Sequence, residues 1–186
     1  MRIFTIGHST HPLEEFLRLL DAFEVGQVAD VRRFPGSRRL PWFNREVLAR
    51  ELQSLGLLYV HMPALGGRRR PSLDSPNAGW RLEAFRGYAD HMAGAEFKAG
   101  LTALEVLASQ RPTAVMCAEA LWWRCHRRLV SDALTIHGWE VVHIGSGGDA
   151  TTHELTAFAV SDAGGLTYPP PQSSLRLVEQ QQEPGV

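Results

Sequence analysis

The sequence predicts an α/β layered fold, a mainly parallel five-stranded sheet with helices on both faces. Two observations lead there. Short apolar, β-branched runs alternate with longer segments whose apolar residues recur at helical spacing. Glycine or polar residues close almost every short run, as they do where buried strands end in loops.

Taken in order, residues 2–7, "RIFTIG", form the first strand. Pro12 then opens a helix with Leu13, Phe16, Leu17 and Leu20 on one face, and in its first turn the missing N–H costs nothing. "QVADVR" (27–32) is the second strand. After the loop "RFPGSRRLPWFN" (33–44), Asn44 suits the N-cap of a helix with Val47, Leu48, Leu52 and Leu55 inward, closed by Gly56. "LLYVHM" (57–62) is the third strand, and a long polar loop follows it. Residues 82–93 and 95–109 read as helices; Phe97, Leu101, Leu104 and Ala108 share a face of the second. "TAVMC" (113–117) and "EVVHI" (140–144) are the fourth and fifth strands. The helix between them starts at Cys125–His126, with Val130, Ala133, Leu134 and His137 on one side. Residues 1–168 are expected to make one α/β domain, long enough to bury a core without staples. The Pro- and Gln-rich residues 169–186 read as a disordered tail.

Composition narrows the function. Hydrophobic residues make up 44% and charged ones 21% of 186, as in ordinary soluble proteins. No apolar run approaches a bilayer span, so no membrane partner is expected. "MRIFTIGHST" turns polar too soon for a signal peptide, which predicts a cytoplasmic protein with both cysteines reduced. The net charge of -1 leaves a polyanionic partner open, so the distribution of charge matters more. Lys98 is the one lysine; the arginines cluster at 32–33, 38–39, 68–70 and 124–128. Their planar forks suit carboxylate and phosphate oxygens.

The polar residues concentrate after the strands. They are Gly7, His8 and Ser9; Asp30, Arg32 and Arg33; His61, Gly66, Gly67 and Arg68; Cys117 and Glu119; and His143 and Gly145. In an open parallel sheet these positions share the carboxyl edge, where ligands bind. His61 and His143 alternate with apolar neighbours and also fit core histidines. Asp30 needs a partner, and an internal pair with Arg32 or Arg38 satisfies it as well as a ligand does.

"VMCAEALWWRCHRRLV" (115–130) holds both cysteines. A thiol at a strand end, facing a helix start and several arginines, has a lowered pKa. Three readings stay open. Cys117 is a nucleophile, with Glu119 and His126 as acid and base and Cys125 beside it. Alternatively Cys117, Cys125 and His126, with His8 or His153, bind a metal, although the spacing lacks a Cys-x-x-Cys pair. Or the thiols form a redox pair. The tyrosine-phosphatase loop is disfavoured, because the Cys-to-Arg spacing differs and the wrapping glycines are missing. Trp122 and Trp123 either pack over the sheet edge or stack on a base.

"TIGHST", "DVRRFPGSRR", "ALGGRR", "FRGYADHM", "CAEALWWRCHRRLVSDAL", "VVHI", "THELT" and "GGLTYP" together resemble the domain of unknown function 488 family, over residues 2–169. The resemblance implies one shared site and names no substrate. Its motif positions fall on His8, Ser9, Asp30, Arg32, Pro35, Ser37, Arg38, Gly66, Gly67, Cys117, Glu119, Cys125, His126, Arg127, His143 and His153. The sequence thus points to a cysteine-dependent hydrolase or transferase on an anionic, nucleotide or nucleic-acid-derived substrate. Cys117, Glu119, Cys125 and His126 would be catalytic. Arg32, Arg33, Arg38, Arg39 and Arg127 would bind substrate, with His8, Ser9, Asp30, Gly66, Gly67, Trp122, Trp123, His143 and His153 around it. The competing reading is a nucleic-acid-binding or regulatory module with structural thiols. Cofactor and metal content stay open.

Overall fold

The computed structural model describes residues 1–162 and 165–170. The expected tail from 171 to 186 lies outside the described residues. Strands β1 (Arg2–Gly7), β2 (Gln27–Asp30), β3 (Leu58–His61), β4 (Thr113–Cys117), β5 (Glu140–Ile144) and β6 (Ala150–Thr152) form one sheet in the order β3-β2-β4-β1-β5-β6. The first five are mutually parallel, and β6 runs antiparallel along β5. A small antiparallel hairpin, β7 (Val160–Asp162) and β8 (Gly165–Thr167), follows. No helix among the described residues is long and apolar enough to cross a membrane.

Helices α1 (Leu13–Ala22) and α2 (Arg45–Ser54) cover one face of the sheet. There Phe16, Leu19, Leu20, Leu48 and Leu52 pack on Phe4, Ile6, Val28, Ala114 and Met116. Helices α3 (Glu83–Met92), α4 (Ala95–Gln110) and α5 (Arg127–Ile136) cover the other. Here Tyr88, Leu101, Leu104, Leu129 and Leu134 pack on Ile3, Ala29, Val115 and Val141. Neighbours in a strand thus serve opposite cores, which is why the central strands read as continuous apolar runs. Each buried leucine contributes roughly 1.5–3 kcal/mol.

Several boundaries differ from the sequence reading. The sheet has a sixth strand that the sequence does not reveal, because Ala150-Thr151-Thr152 is short and exposed and carries no apolar alternation. β2 and β3 are shorter than expected, although Val31 N–H and Met62 N–H each add one more bond, to Met116 and Asp30. α5 starts at Arg127: Trp122–Arg124 forms a 3-10 turn, Cys125 is extended and His126 is the cap residue. Leu55 and His137 follow the last residues of α2 and α5 and are exposed, so neither faces a core. Asn44 occupies the expected cap position, but its side chain accepts from Ser37 N–H (2.6 Å) and braces the loop instead.

Gly7 shows how tightly the carboxyl edge is built. It pairs with Cys117, and a Cβ there would lie 2.0 Å from the Glu119 carbonyl oxygen and 2.8 Å from the Arg127 guanidinium. Gly7→Ala should therefore cost about 1–3 kcal/mol, at the upper end because backbone must move. Gly36, where a Cβ would meet nothing within 4 Å, is the control, and Gly36→Ala should be close to neutral. Urea unfolding of the two variants checks the contrast.

Candidate functional site

The parallel topology brings the ends of β1, β2, β3 and β4 to one edge: Gly7 registers with Cys117, and Asp30 with Met116 and His61. At this edge the chain leaves β4, turns through Trp122–Arg124 and returns, setting Cys125 beside Cys117. His126 joins them, with Nδ1 3.6 Å from Cys125 Sγ and 3.9 Å from Cys117 Sγ. Its Nε2–H faces the Val31 carbonyl at 3.3 Å. A carbonyl only accepts, so Nε2 is the donor there and Nδ1 is left facing both sulfurs, where the protonated ring donates to a Cys125 thiolate. The ring fits only because residue 67 is glycine, since a Cβ there would stand 2.8 Å from Nδ1.

The two thiols are unequal. Cys117 is pushed well up by the hydrogen bond it gives to Cys125, then by burial. Burial opposes a Cys125 thiolate, but the bond from Cys117, with His126 and Arg127, outweighs it and holds Cys125 well below an ordinary thiol. The pair thus keeps one proton and titrates as a unit. The lowered pKa expected at Cys117 belongs to Cys125, because Cys117 is the donor within the pair. Cys117, however, is the sulfur that lines the adjoining pocket.

Arg127 lies behind the thiols and is 1% exposed. It donates to the carbonyls of Glu119 and Ala120 and to Thr5 Oγ1 (3.4 Å). Among the described residues no carboxylate forms an ion pair with it. From Thr5 a buried chain of hydrogen bonds leads away. Thr5 Oγ1 is 2.6 Å from His143 Nδ1, His143 Nε2 is 3.0 Å from His153 Nδ1, and His153 Nε2 is 2.9 Å from Asp132 Oδ1. Thr156 N–H and Tyr168 O–H also donate to Asp132. Asp132 accepts from His153, and with both rings neutral the donors run one way, from Arg127 through Thr5, His143 and His153 to Asp132. Burial, then His153 and Arg127, pushes His143 down to about 3, as a neutral link requires. Trp122 stacks on His143 with centroids 3.9 Å apart. His143, His153, Trp122 and Arg127 therefore form the wall behind the site and do not line its pocket.

A second buried group lies across the edge. Asp30 accepts from Arg32 Nε (2.9 Å) and NH2 (2.6 Å) and from Tyr59 O–H (2.6 Å). It is the internal pair with Arg32, not Arg38, that satisfies it. Arg32 NH1 also reaches His8 Nε2 (3.2 Å), so most of its fork is already engaged. His8 Nδ1–H donates to the Ser9 carbonyl, and the ring stacks on Phe43 at 4.1 Å. Burial, then the Arg32 charge, pushes His8 down to about 4.

Between these groups opens a pocket of about 160 Å³ lined by Arg32, Arg33, Phe34, Gly67, Arg68, Cys117, Ala118 and His126. Arg33 and Arg68 are exposed at its rim, and Arg33 donates to the Arg68 carbonyl (3.2 Å). Gly66 packs against Arg33. Arg38 and Arg39 are exposed elsewhere on the loop; Arg39 borders a separate depression with Thr10 and Trp42. Glu119 is exposed and gives its carbonyl to Arg127, and Trp123 is half-exposed, edge-on to Trp122. That depression beside Arg39, about 580 Å³, is larger but gathers no comparable chemistry. The residues that could hold a metal are Cys117, Cys125 and His126, whose ligand atoms lie within 4.8 Å of one another. Sequence reasoning missed Phe34, Thr5, Tyr59, Tyr168 and Asp132. Only Asp132 left a signal, a carboxylate on the buried face of α5.

A family model described as "Domain of unknown function DUF488" matches residues 12–134, and the chain belongs to that family. The match spans the thiols, His126, Asp30 and Asp132, and stops short of His143, His153 and Tyr168. No curated protein and no solved structure matches the chain.

The buried neutral histidines carry a pH signature. Burial pushes His8 down to about 4 and His143 down to about 3, from an ordinary imidazole value of about 6.5. Between those limits the unfolded chain binds more protons, so stability is fully present above about 6.5 and falls as pH drops toward 4. Thermal melting from pH 7.5 down to 4.5 should show the decline. In His8→Gln, which keeps an acceptor for Arg32, the decline should be shallower.

Proposed function

We propose that this member of the domain of unknown function 488 family is a thiol-dependent hydrolase or transferase for a small anionic substrate, such as a nucleotide or a nucleic-acid component. One observation carries the reading: the two thiols and the His126 imidazole meet at a pocket whose rim presents Arg33 and Arg68. A reducing compartment such as the cytoplasm suits it, since both cysteines are free.

The roles follow from position. Cys117 faces the pocket and attacks; its proton passes to the Cys125 sulfur as its electron pair enters the electrophilic centre and the leaving group departs. His126 Nδ1, within reach of both sulfurs, relays the proton onward to that leaving group. Arg127 steadies the negative charge from behind. Arg33 and Arg68 grip the anion; the sequence reading assigned this task to Arg33 but not to Arg68, and it included Arg32, whose fork is committed to Asp30. Phe34, 66% exposed on the same rim, offers the aromatic face that Trp122 spends on His143. A pocket of about 160 Å³ takes in the reacting group, and the rest of the substrate lies over this rim.

Alkylation of the reduced protein at pH 7 tests the proposal. One sulfur should react faster than free cysteine, and Cys117→Ser, which removes both the sulfur on the pocket and the thiol proton the pair shares, should remove that fast phase. Pyrophosphate should protect the wild type, and Arg33→Ala/Arg68→Ala should lose the protection. Slow alkylation of both thiols would sink the enzyme reading; retained anion binding beside it would favour a binding module.

A further inference from the structure

The sulfur–imidazole trio has a geometry that nucleophilic chemistry alone does not require. We propose that Cys117 Sγ, Cys125 Sγ and His126 Nδ1 form a three-ligand site for a thiophilic divalent cation of the zinc type, with its fourth position open to the pocket.

The spacing comes first. Zinc–sulfur bonds of about 2.3 Å and zinc–nitrogen bonds of about 2.0–2.1 Å at a tetrahedral angle hold S and N about 3.6 Å apart. The two S···N distances here are 3.6 and 3.9 Å. A cation at the centre of the trio thus meets two ligand edges that need little adjustment. The second argument is the orientation of the ring. A ligating histidine typically donates its other N–H to a carbonyl or carboxylate, which aims the ligating lone pair. His126 does so, through Nε2–H to the Val31 carbonyl. Third, the ring cannot back away, because it is pressed against Gly67 on one side and lies 5.0 Å from the Tyr88 ring on another.

Charge then selects the ligand at the fourth position. Two thiolates neutralise a divalent cation, and the buried Arg127 leaves the surroundings positive. An anionic oxygen, from hydroxide or from the substrate's own anionic group, completes the site, and Arg33 and Arg68 stand at the side from which it enters. Two sulfurs and one imidazole prefer zinc, cobalt or cadmium to magnesium or calcium. Any thiol proton still present leaves to solvent as the metal enters. The metal takes the same lone pairs that thiol chemistry uses, so metal occupancy switches off the activity proposed above.

Cobalt(II) titration of the reduced 186-residue chain reads the site directly. The expected result is a thiolate-to-cobalt charge-transfer band that saturates at a single equivalent, is bleached by zinc and is unaffected by magnesium. The band should be lost in Cys125→Ser and His126→Asn. If those variants fold poorly, prior alkylation of the wild type should abolish it equally. Alkylation should be lost in step with cobalt occupancy. No charge-transfer band in the wild type with cobalt in excess overturns the metal site, as does a band that survives alkylation. The two proposals fail separately: rapid alkylation with no band removes the metal site alone, and a band with slow alkylation of the metal-free protein removes the thiol activity alone.

Discussion

A guanidinium buried without a carboxylate beside it governs the carboxyl edge of this protein. Arg127 is 1% exposed, and a lone charge at that depth is tolerated only with hydrogen bonds and an opposing field. The hydrogen bonds come from the backbone of residues 119 and 120, in the loop that carries the chain from one cysteine to the other. That loop is also tied to the end of β1, by His8 N–H to Cys117 and Ser9 N–H to Ala118. The position of Cys125 relative to Cys117 is therefore set by Arg127 together with the β1 turn. Gly7 follows from the same constraint, since any side chain there would occupy the space of the guanidinium and its acceptor.

The opposing field has two sources. One is Asp132, reached from Arg127 through the hydrogen bonds that link Thr5, His143 and His153. The other is the sulfur pair, whose shared proton leaves a negative charge in front of the arginine. The pair Asp30–Arg32 shows the contrary solution a short distance away. There the cation and carboxylate meet directly, with Tyr59 and His8 completing the bonds. A closed pair of this kind has little left to offer a ligand. The open arrangement around Arg127 keeps its negative charge on sulfur, the most reactive place available to it. Two buried arginines within one sheet edge thus do opposite work, and the difference lies in what neutralises each.

Much of this was legible in the sequence. The strand positions followed from apolar runs of strand length, and the helices from faces such as Phe97, Leu101, Leu104 and Ala108, all buried on α4. Parallel connectivity then put Gly7, Asp30, His61 and Cys117 at one edge, because every strand joined by a helix must point the same way. Cys117 and Asp30 could be picked out because they end buried strands, and Cys125 and His126 because they stand just before the helix that follows β4.

Other features existed only after folding. The exposed Ala150–Thr152 strand pairs with β5 although its side chains carry no pattern. Asp132 looked like one polar residue on a helix until His153 and Tyr168 arrived from far along the chain to bond it. Trp122 stacks on His143, and Arg32 turns to Asp30; each choice was open at the level of residue type. Composition and periodicity determine which segments are buried and which way they run, because burial depends on each residue's own polarity. Which charge neutralises which, and which sulfur keeps the proton, depends on distances of a few ångströms between residues such as Thr5 and His143, 138 positions apart, and those only the tertiary structure decides.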